Sequence, residues 1–389
     1  MQRTGIVERA IVRHPVGAWL CAALALFLSV GCATEAAIPA GSDRASDIRI
    51  DVQWRLDLAS DRIWELDPAE LGQPVLSPGG DLLVGTSRGW MYRIFAHSGE
   101  VVWATNVGGA IDAEANLVGR EVFVGSDDGV VVSLDWRTGE EQWRTETRGP
   151  VEARPTVSEG RAFVTDSEDI LYALDAATGE LLWDFQPAAP DFFTIKGGGQ
   201  PLVVGEMVYC GFADGTLRAF FADSGDEAWV ADLGDETEEF GDVDVPIFLD
   251  GDRLIATSHA GGVYAIERET GATLWHNDIR DVAGAEMHAH WYFGAVSTGA
   301  VFTLDTRDGE IYWEYEVPDD HLAVDISVAG DFVAVAVSEG PMYWLHVRNG
   351  EPAAKWAPSN GFQNAPIFDD RFGYVMSRRG YLYGFSLAY

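Results

Sequence analysis

A tryptophan that follows a short glycine turn returns along this chain with a period near 40 residues, a rhythm that neither a single helix nor an open sheet produces. The units read SGEVVW to Trp103, TGEEQW to Trp143, TGELLW to Trp183, SGDEAW to Trp229, TGATLW to Trp275, DGEIYW to Trp313 and a looser NGEPAAKW to Trp356. Successive tryptophans lie 40, 40, 46, 46, 38 and 43 residues apart. Self-similarity at that spacing marks a propeller or a solenoid. An eighth tryptophan, Trp54 in VQWRLDL, has no turn before it.

Each unit carries the same short runs. In the second, EVFVGS, a turn at DDG, VVVSLD, a turn at RTGE and the Trp143 run follow one another. Apolar or alternating runs bounded by Gly and Asp predict strands joined by hairpins. Glycine in the second turn supplies a positive φ that other residues reach only at a cost. The tryptophan four residues later is large enough to pack between neighbouring units, and its N–H then needs a partner. Seven turn-and-Trp units are followed by a final hairpin, FGYVMSRRGYLYGFS, which leaves the last unit one strand short. The lone strand around Trp54 supplies the missing piece. Joining the two ends of the chain in one sheet removes an exposed edge. The expectation is an all-β, eight-bladed propeller of four-stranded blades over residues 48–389, closed by the Trp54 strand. Seven blades or an open solenoid are the other outcomes the spacing allows.

The first 31 residues read as an address. Arg3, Arg9 and Arg13 precede a 15-residue apolar run, Val16 to Val30. A bilayer span takes roughly 20 residues, so the run fits a secretory signal instead. It ends in Leu28-Ser29-Val30-Gly31-Cys32, which resembles a bacterial lipobox and makes Cys32 the expected lipidation site; ordinary cleavage near Ala36 or Ala40 is the alternative. Ala33 after the cysteine, where inner-membrane retention uses aspartate, points to the periplasmic face of the outer membrane. Residues 32–47 are small and polar and predict a flexible tether.

The whole chain carries a net charge of −36, and removal of residues 1–31, with three Arg and one Glu, leaves −38. Nucleic-acid binding needs a basic footprint, which this chain lacks. Of Cys21, Cys32 and Cys210, only Cys210 is left for the folded domain, so no internal disulfide is expected. In MVYCGF it reads as a small buried hydrophobe.

Four local patterns suggest chemistry and are better explained by the repeat. Gly85-Thr86-Ser87-Arg88-Gly89 matches a hydrolase elbow, but that motif needs a strand-to-helix turn, and the next unit puts GSDDG in the same slot. Glu286, His288 and His290 alternate, so one strand would bring them to one face, where they could bind a metal or simply line a channel. Asp242 and Asp244 could pair for acid–base work, but no partner base is identifiable. Gly197-Gly198-Gly199 lacks the Lys-Ser/Thr of a phosphate loop and reads as a bend. No cofactor or metal is expected.

The turn-plus-Trp repeat resembles the pyrroloquinoline-quinone propeller family, which contains quinoprotein dehydrogenases as well as non-catalytic scaffolds. The dehydrogenases carry adjacent cysteines that this chain lacks. Three further segments resemble the BamB family, lipoprotein subunits of the outer-membrane β-barrel assembly machinery. They are Asp191-Phe-Phe-Thr-Ile-Lys-Gly197 ahead of Pro201, Gly241-Asp-Val-Asp-Val-Pro246, and Ser359-Asn-Gly-Phe-Gln363 leading into Pro366. That resemblance implies a non-enzymatic scaffold that docks on periplasmic POTRA domains of the barrel-forming core subunit. Nascent outer-membrane proteins are a second implied partner, for which exposed strand edges offer β-augmentation. It also implies partner contacts at Phe193, Ile195 and Lys196 in the first loop and at Asp242 and Asp244 in the second. Lys196 is one of only two lysines, with Lys355, so it is an isolated cation in an acidic surface. The same residues also have a structural reading: Phe193 and Ile195 packing under their own loop, the two aspartates capping a turn. The rival functions are a periplasmic quinoprotein oxidoreductase and a ligand-binding propeller.

Overall fold

The chain is described from a computed structural model, over residues 48–59, 70–188, 199–234, 241–318, 321–359 and 361–388. The predicted signal, Cys32 and the tether lie outside these residues, as do Phe193, Ile195 and Lys196.

Short β-rich runs separated by glycine turns form hairpins, and hairpins stack into sheets. In the second unit, Asn116–Val118, Glu121–Ser126, Val130–Asp135 and Glu141–Glu146 make one antiparallel meander. The pattern repeats as eight four-stranded sheets. Blades 1 to 7 occupy residues 75–106, 116–146, 156–185, 202–232, 248–277, 282–316 and 323–356. Blade 8 takes three strands, Ile367–Asp369, Phe372–Met376 and Tyr381–Ala388, and receives its outer strand, Arg49–Asp57, from the other end of the chain. The expected closure is thus present, with Trp54 paired opposite Gly384. A Cβ on Gly384 would lie 2.3 Å from the Trp54 indole, so this strand closes against bare backbone.

Apolar side chains fill the gap between each blade and the next. Leu83 and Met91 of blade 1 meet Val122, Val124, Val132 and Leu134 of blade 2. Leu82, Val84 and Ile94 meet Tyr374, Met376 and Leu382 across the closing seam. Cys210 is fully buried in one such layer, and burial pushes its thiol pKa up. It is the small buried hydrophobe that the sequence suggests.

The repeat tryptophans act as inter-blade fasteners. Trp54, Trp103, Trp143, Trp183, Trp229, Trp275 and Trp313 each donate the indole N–H to a backbone carbonyl of the following blade, at 2.8–3.1 Å. The acceptors are Ala96, Trp136, Ala176, Ala222, Arg268, Thr306 and Val347, all at the start of the next blade's glycine turn. The glycine in that turn has φ between +69° and +76°. It also lies against the incoming indole, where a Cβ would come within 2.5–2.7 Å of a ring atom. The glycine is therefore required twice, for its dihedral and for its missing side chain.

Trp356 departs from the rule expected of it. In blade 7 the position opposite Trp344 is held by Ala354, and Trp356 falls two residues later, opposite Met342. No carbonyl among the described residues accepts from its indole. It packs instead with the rings of Phe362, Tyr383 and Phe385, at centroid distances of 5.8, 5.7 and 4.8 Å. The cause is the seam: the outer strand of blade 8 comes from Arg49–Asp57, so no third-to-fourth-strand turn and no glycine faces Trp356.

Gly179 and Gly160 separate the two demands on glycine. Both have positive φ, +74° and +76°, but only a Cβ on Gly179 would strike a neighbour, at 2.5 Å from the Trp143 ring. Gly160→Ala is expected to cost about 1 kcal/mol from the left-handed dihedral alone. Gly179→Ala adds overpacking and is expected to cost roughly 2–4 kcal/mol. Urea unfolding of the two variants checks the difference; equal losses would remove the fastening role.

Candidate docking face and axial cavity

Before the first strand of several blades, a connecting residue is plugged into the preceding blade. Ile111, Val151 and Val243 do this against Gly85, Gly125 and Gly211, where a Cβ would lie 2.3, 2.3 and 2.5 Å from their side chains. Their N–H groups donate to Thr86, Ser126 and Phe212 carbonyls at 3.0, 3.0 and 3.3 Å. The next residue in each case, Asp112, Glu152 or Asp244, then reaches the wall of the axial cavity. The Asp-Val-Asp segment is thus partly a repeat device: Val243 is the plug, and Asp244 is the third member of an acidic collar.

The two aspartates flanking Val243 have different surroundings. Asp244 is exposed, whereas Asp242 is 3% exposed. Asp242 is close enough to Asp169 to raise its pKa. Asp169 itself is pushed up to about 7, first by burial and then by Asp214, Asp242 and Asp166, while an N–H from Ala213 at 3.1 Å opposes the shift. Asp169 has φ +63°, in a hairpin slot where blades 1, 2 and 4 have Gly89, Gly129 and Gly215.

The connections into blades 4 and 5 meet at this place. A Cβ on Gly199, which ends the first, would sit 2.7 Å from the Val243 carbonyl oxygen and 3.3 Å from Asp244 Cα. The candidate contacts Phe193, Ile195 and Lys196 belong to the connection that Gly199 ends, outside the described residues.

The axial cavity holds about 850 Å³ and is walled by the first strands and the connections before them. Its wall carries Asp112, Glu114, Glu152, Asp244, Glu286 and Asp325, with Arg154 as the arginine among the described lining residues. Glu114 pairs with Arg154 at 2.9 Å, yet burial outweighs the pair and raises the Glu114 pKa. Glu286 Oε2 accepts from the Val328 N–H at 2.8 Å, and Asp325 Oδ2 from the Ala365 N–H at 2.7 Å. Burial pushes Glu286 up to about 7, with Asp325 adding to the shift. Asp325 is pushed up to about 6, again by burial first, with Glu114 contributing. Gly284 makes room for Asp325: a Cβ there would lie 2.7 Å from its Oδ1.

The suggested Glu286–His288–His290 face does not assemble. The strand Val282–His288 ends before Ala289, whose φ of +54° turns the chain, and the His290 ring packs tilted against Trp291 at 4.9 Å. Only Glu286 of the three lines the cavity. Among the described residues no group of three His, Cys, Asp or Glu side chains is placed to hold a metal ion. Ser87 sits in a strand-to-strand turn and donates its hydroxyl to Glu70 at 2.9 Å, so the hydrolase elbow is absent in form as well as context. Glu114, Arg154, Asp325 and Asp169 are site residues that sequence reading missed. For Asp169 the signal was there, since SEDI replaces the glycine of SDDG and ADGT.

Comparison with known proteins bears on this arrangement. The family described as outer membrane protein assembly factor BamB matches residues 87–315. The outer membrane protein assembly factor BamB of Xanthomonas campestris pv. campestris is 28% identical over 198 residues, 49% of this chain and 49% of that protein. Its namesake from Pseudomonas aeruginosa is 25% identical over 201 residues, 50% of this chain and 53% of the relative. The chain therefore spans about half the length of the curated relatives it matches. Among solved structures, BamB from Moraxella catarrhalis superposes with a TM-score of 0.76 at 18% identity, covering 87% of this chain and 100% of that one. A quinohemoprotein alcohol dehydrogenase from Comamonas testosteroni gives 0.70 at 14% identity, covering 90% and 78%. Both structural likenesses show the fold.

The carboxylates in the cavity set a pH dependence. The folded-state pKa of Glu286, about 7, lies above its ordinary 4.5, so the fold favours the protonated form. The stability linked to this group is complete below about pH 4.5 and is lost as pH rises through about 7. Glu286→Gln is expected to be more stable than the parent above pH 7 by about 1–2 kcal/mol, with the gap closing toward pH 4.5. Denaturant melts of both proteins across that range measure it, and a gap independent of pH would refute the assignment.

Proposed function

The chain belongs to the family of outer membrane protein assembly factor BamB, and from that premise we propose that it is a non-catalytic scaffold lipoprotein of outer-membrane β-barrel assembly. It is held at the periplasmic face through lipidated Cys32, with residues 33–47 as the tether. The ring docks on POTRA domains of the core subunit and assists insertion of nascent barrels, whose strands are the second partner.

The observation that carries the docking reading is the meeting of the connections into blades 4 and 5. Gly199 lies against Val243 and Asp244, and Phe193, Ile195 and Lys196 stand three to six residues before it in the same connection. Two apolar residues, one cation and one carboxylate are residue types from which a small mixed interface hot spot can be built. Asp242 is buried, so the direct acidic contact falls to the exposed Asp244.

The quinoprotein alternative is opposed by the sign of the cavity. Pyrroloquinoline quinone is a tricarboxylate, and the wall offers it carboxylates from several blades against one arginine, itself paired with Glu114. Like charges gathered in one cavity disfavour binding.

Binding of the full chain to purified POTRA domains of its own organism's core subunit tests the reading. Ile195→Ala, Lys196→Glu and Asp244→Lys are each expected to weaken docking about tenfold or more while leaving thermal melting unchanged. Parental affinity in all three variants would remove this interface.

A further inference from the structure

We propose that the outer strand of blade 1, Val101–Asn106, is the edge on which the ring takes up an extended strand of an unfolded outer-membrane protein by main-chain pairing, a site that rests on the reading of nascent barrel strands as the second partner. The strand lies on the rim of the ring, at the end of its sheet, and belongs to neither of the connections proposed for docking.

Every second residue of an edge strand turns its N–H and C=O away from the ladder. In blade 1 the Val107 N–H donates inward to the Gly89 carbonyl at 2.8 Å, and the pairs Asn106–Trp90, Thr105–Met91 and Ala104–Tyr92 continue that register. Alternation therefore turns the main-chain groups of Ala104 and Asn106 outward. Natural sheets guard such edges with charge or proline. Six of the eight outer strands here carry charged side chains, with Glu141, Asp184, Glu227, Glu314, Lys355 and Arg49 in blades 2, 3, 4, 6, 7 and 8, and blade 7 adds Pro352. Blade 5 has His276, stacked on Tyr264 at 4.3 Å. Among the eight, only Val101–Asn106 contains no ionisable group.

The same blade exposes the most large apolar side chains. Trp90, Phe95, Val101 and Val102 are exposed there, whereas no other blade exposes more than two among the described residues. Ala104, also exposed, has the smallest side chain of the strand and leaves room for a facing residue between Val102 and Asn106. A second copy of this chain is a poor occupant, because each copy carries a net charge of −36 and the two repel. A barrel strand alternates apolar and polar residues, and its apolar face suits an edge without charge. Main-chain pairing with no ionisable group to select a sequence accepts many such strands.

Binding of a peptide to the immobilised full chain tests the edge. The peptide alternates valine or tyrosine with threonine or serine over about ten residues, the length of a membrane-crossing strand. Saturable binding is expected, and none for the same peptide N-methylated throughout. Ala104→Pro deletes an outward N–H and leaves the ladder bonded, while Ala104→Lys puts a charge on the edge. Each is expected to weaken peptide binding about tenfold or more and to leave docking on POTRA domains as in the parent. Val230→Lys, at the same position in blade 4, should leave peptide binding unchanged. Parental peptide binding by both Ala104 variants overturns the blade 1 site while keeping barrel strands as a partner. Equal binding of the N-methylated peptide overturns main-chain pairing, and no binding by the parent overturns the site together with the partner reading beneath it.

Discussion

The contact between a tryptophan and the glycine turn of the next blade is the joint on which this ring depends. Each indole closes two demands together: its ring covers a glycine that has no Cβ to obstruct it, and its N–H satisfies the carbonyl that opens the turn. A hydrogen bond of this kind contributes only about 1 kcal/mol net, but leaving either group buried and unpaired costs more. Repeated around the ring, the joint fixes the angle between neighbouring sheets, while the apolar layers between them supply most of the stabilisation.

Closure follows from the same joint. Trp54 enters blade 8 on a strand from the opposite end of the chain, bonds Ala96 of blade 1 and is met by Gly99. The first and last blades are therefore fastened as any other pair is, and the ring has no weak seam there. The irregular seam lies between blades 7 and 8, where Trp356 finds no glycine turn and is held by an aromatic cluster with Phe362, Tyr383 and Phe385. A repeat joint is thus replaced by packing at the one place where chain connectivity denies it.

The face proposed for docking departs from the repeat in an orderly way. Ile111, Val151 and Val243 seat equivalent connections, so the acidic residues that follow them reach the axis in register. On that scaffold the connections into blades 4 and 5 are longer than their counterparts, and Asp169 occupies a left-handed slot that other blades give to glycine. Such a residue is strained, and strain kept within a group of carboxylates marks a region shaped by more than folding. The cavity shows the same tension: carboxylates held partly dry, each satisfied on one oxygen by a backbone N–H, at a cost in stability that grows with pH.

Blade number, the strand order and closure by the Trp54 strand were legible in the sequence, because each is a consequence of local turn chemistry repeated at a fixed period. The buried state of Cys210 was legible for the same reason: it sits in a short apolar run whose place in the blade is known. Side-chain neighbours around the axis were not. Glu114 and Arg154 come from the connections before blades 2 and 3, Glu286 and Asp325 from the first strands of blades 6 and 7, and they meet only when the ring closes, so no spacing along the chain records them. The two-residue shift of Trp356 and the burial of Asp242 beside an exposed Asp244 were also decided by tertiary structure. Period and turn chemistry are properties of neighbouring residues, and the sequence by itself determined them. Which carboxylate is buried, which is exposed and which face each other depends on how eight sheets pack about one axis, and only the folded ring decides that.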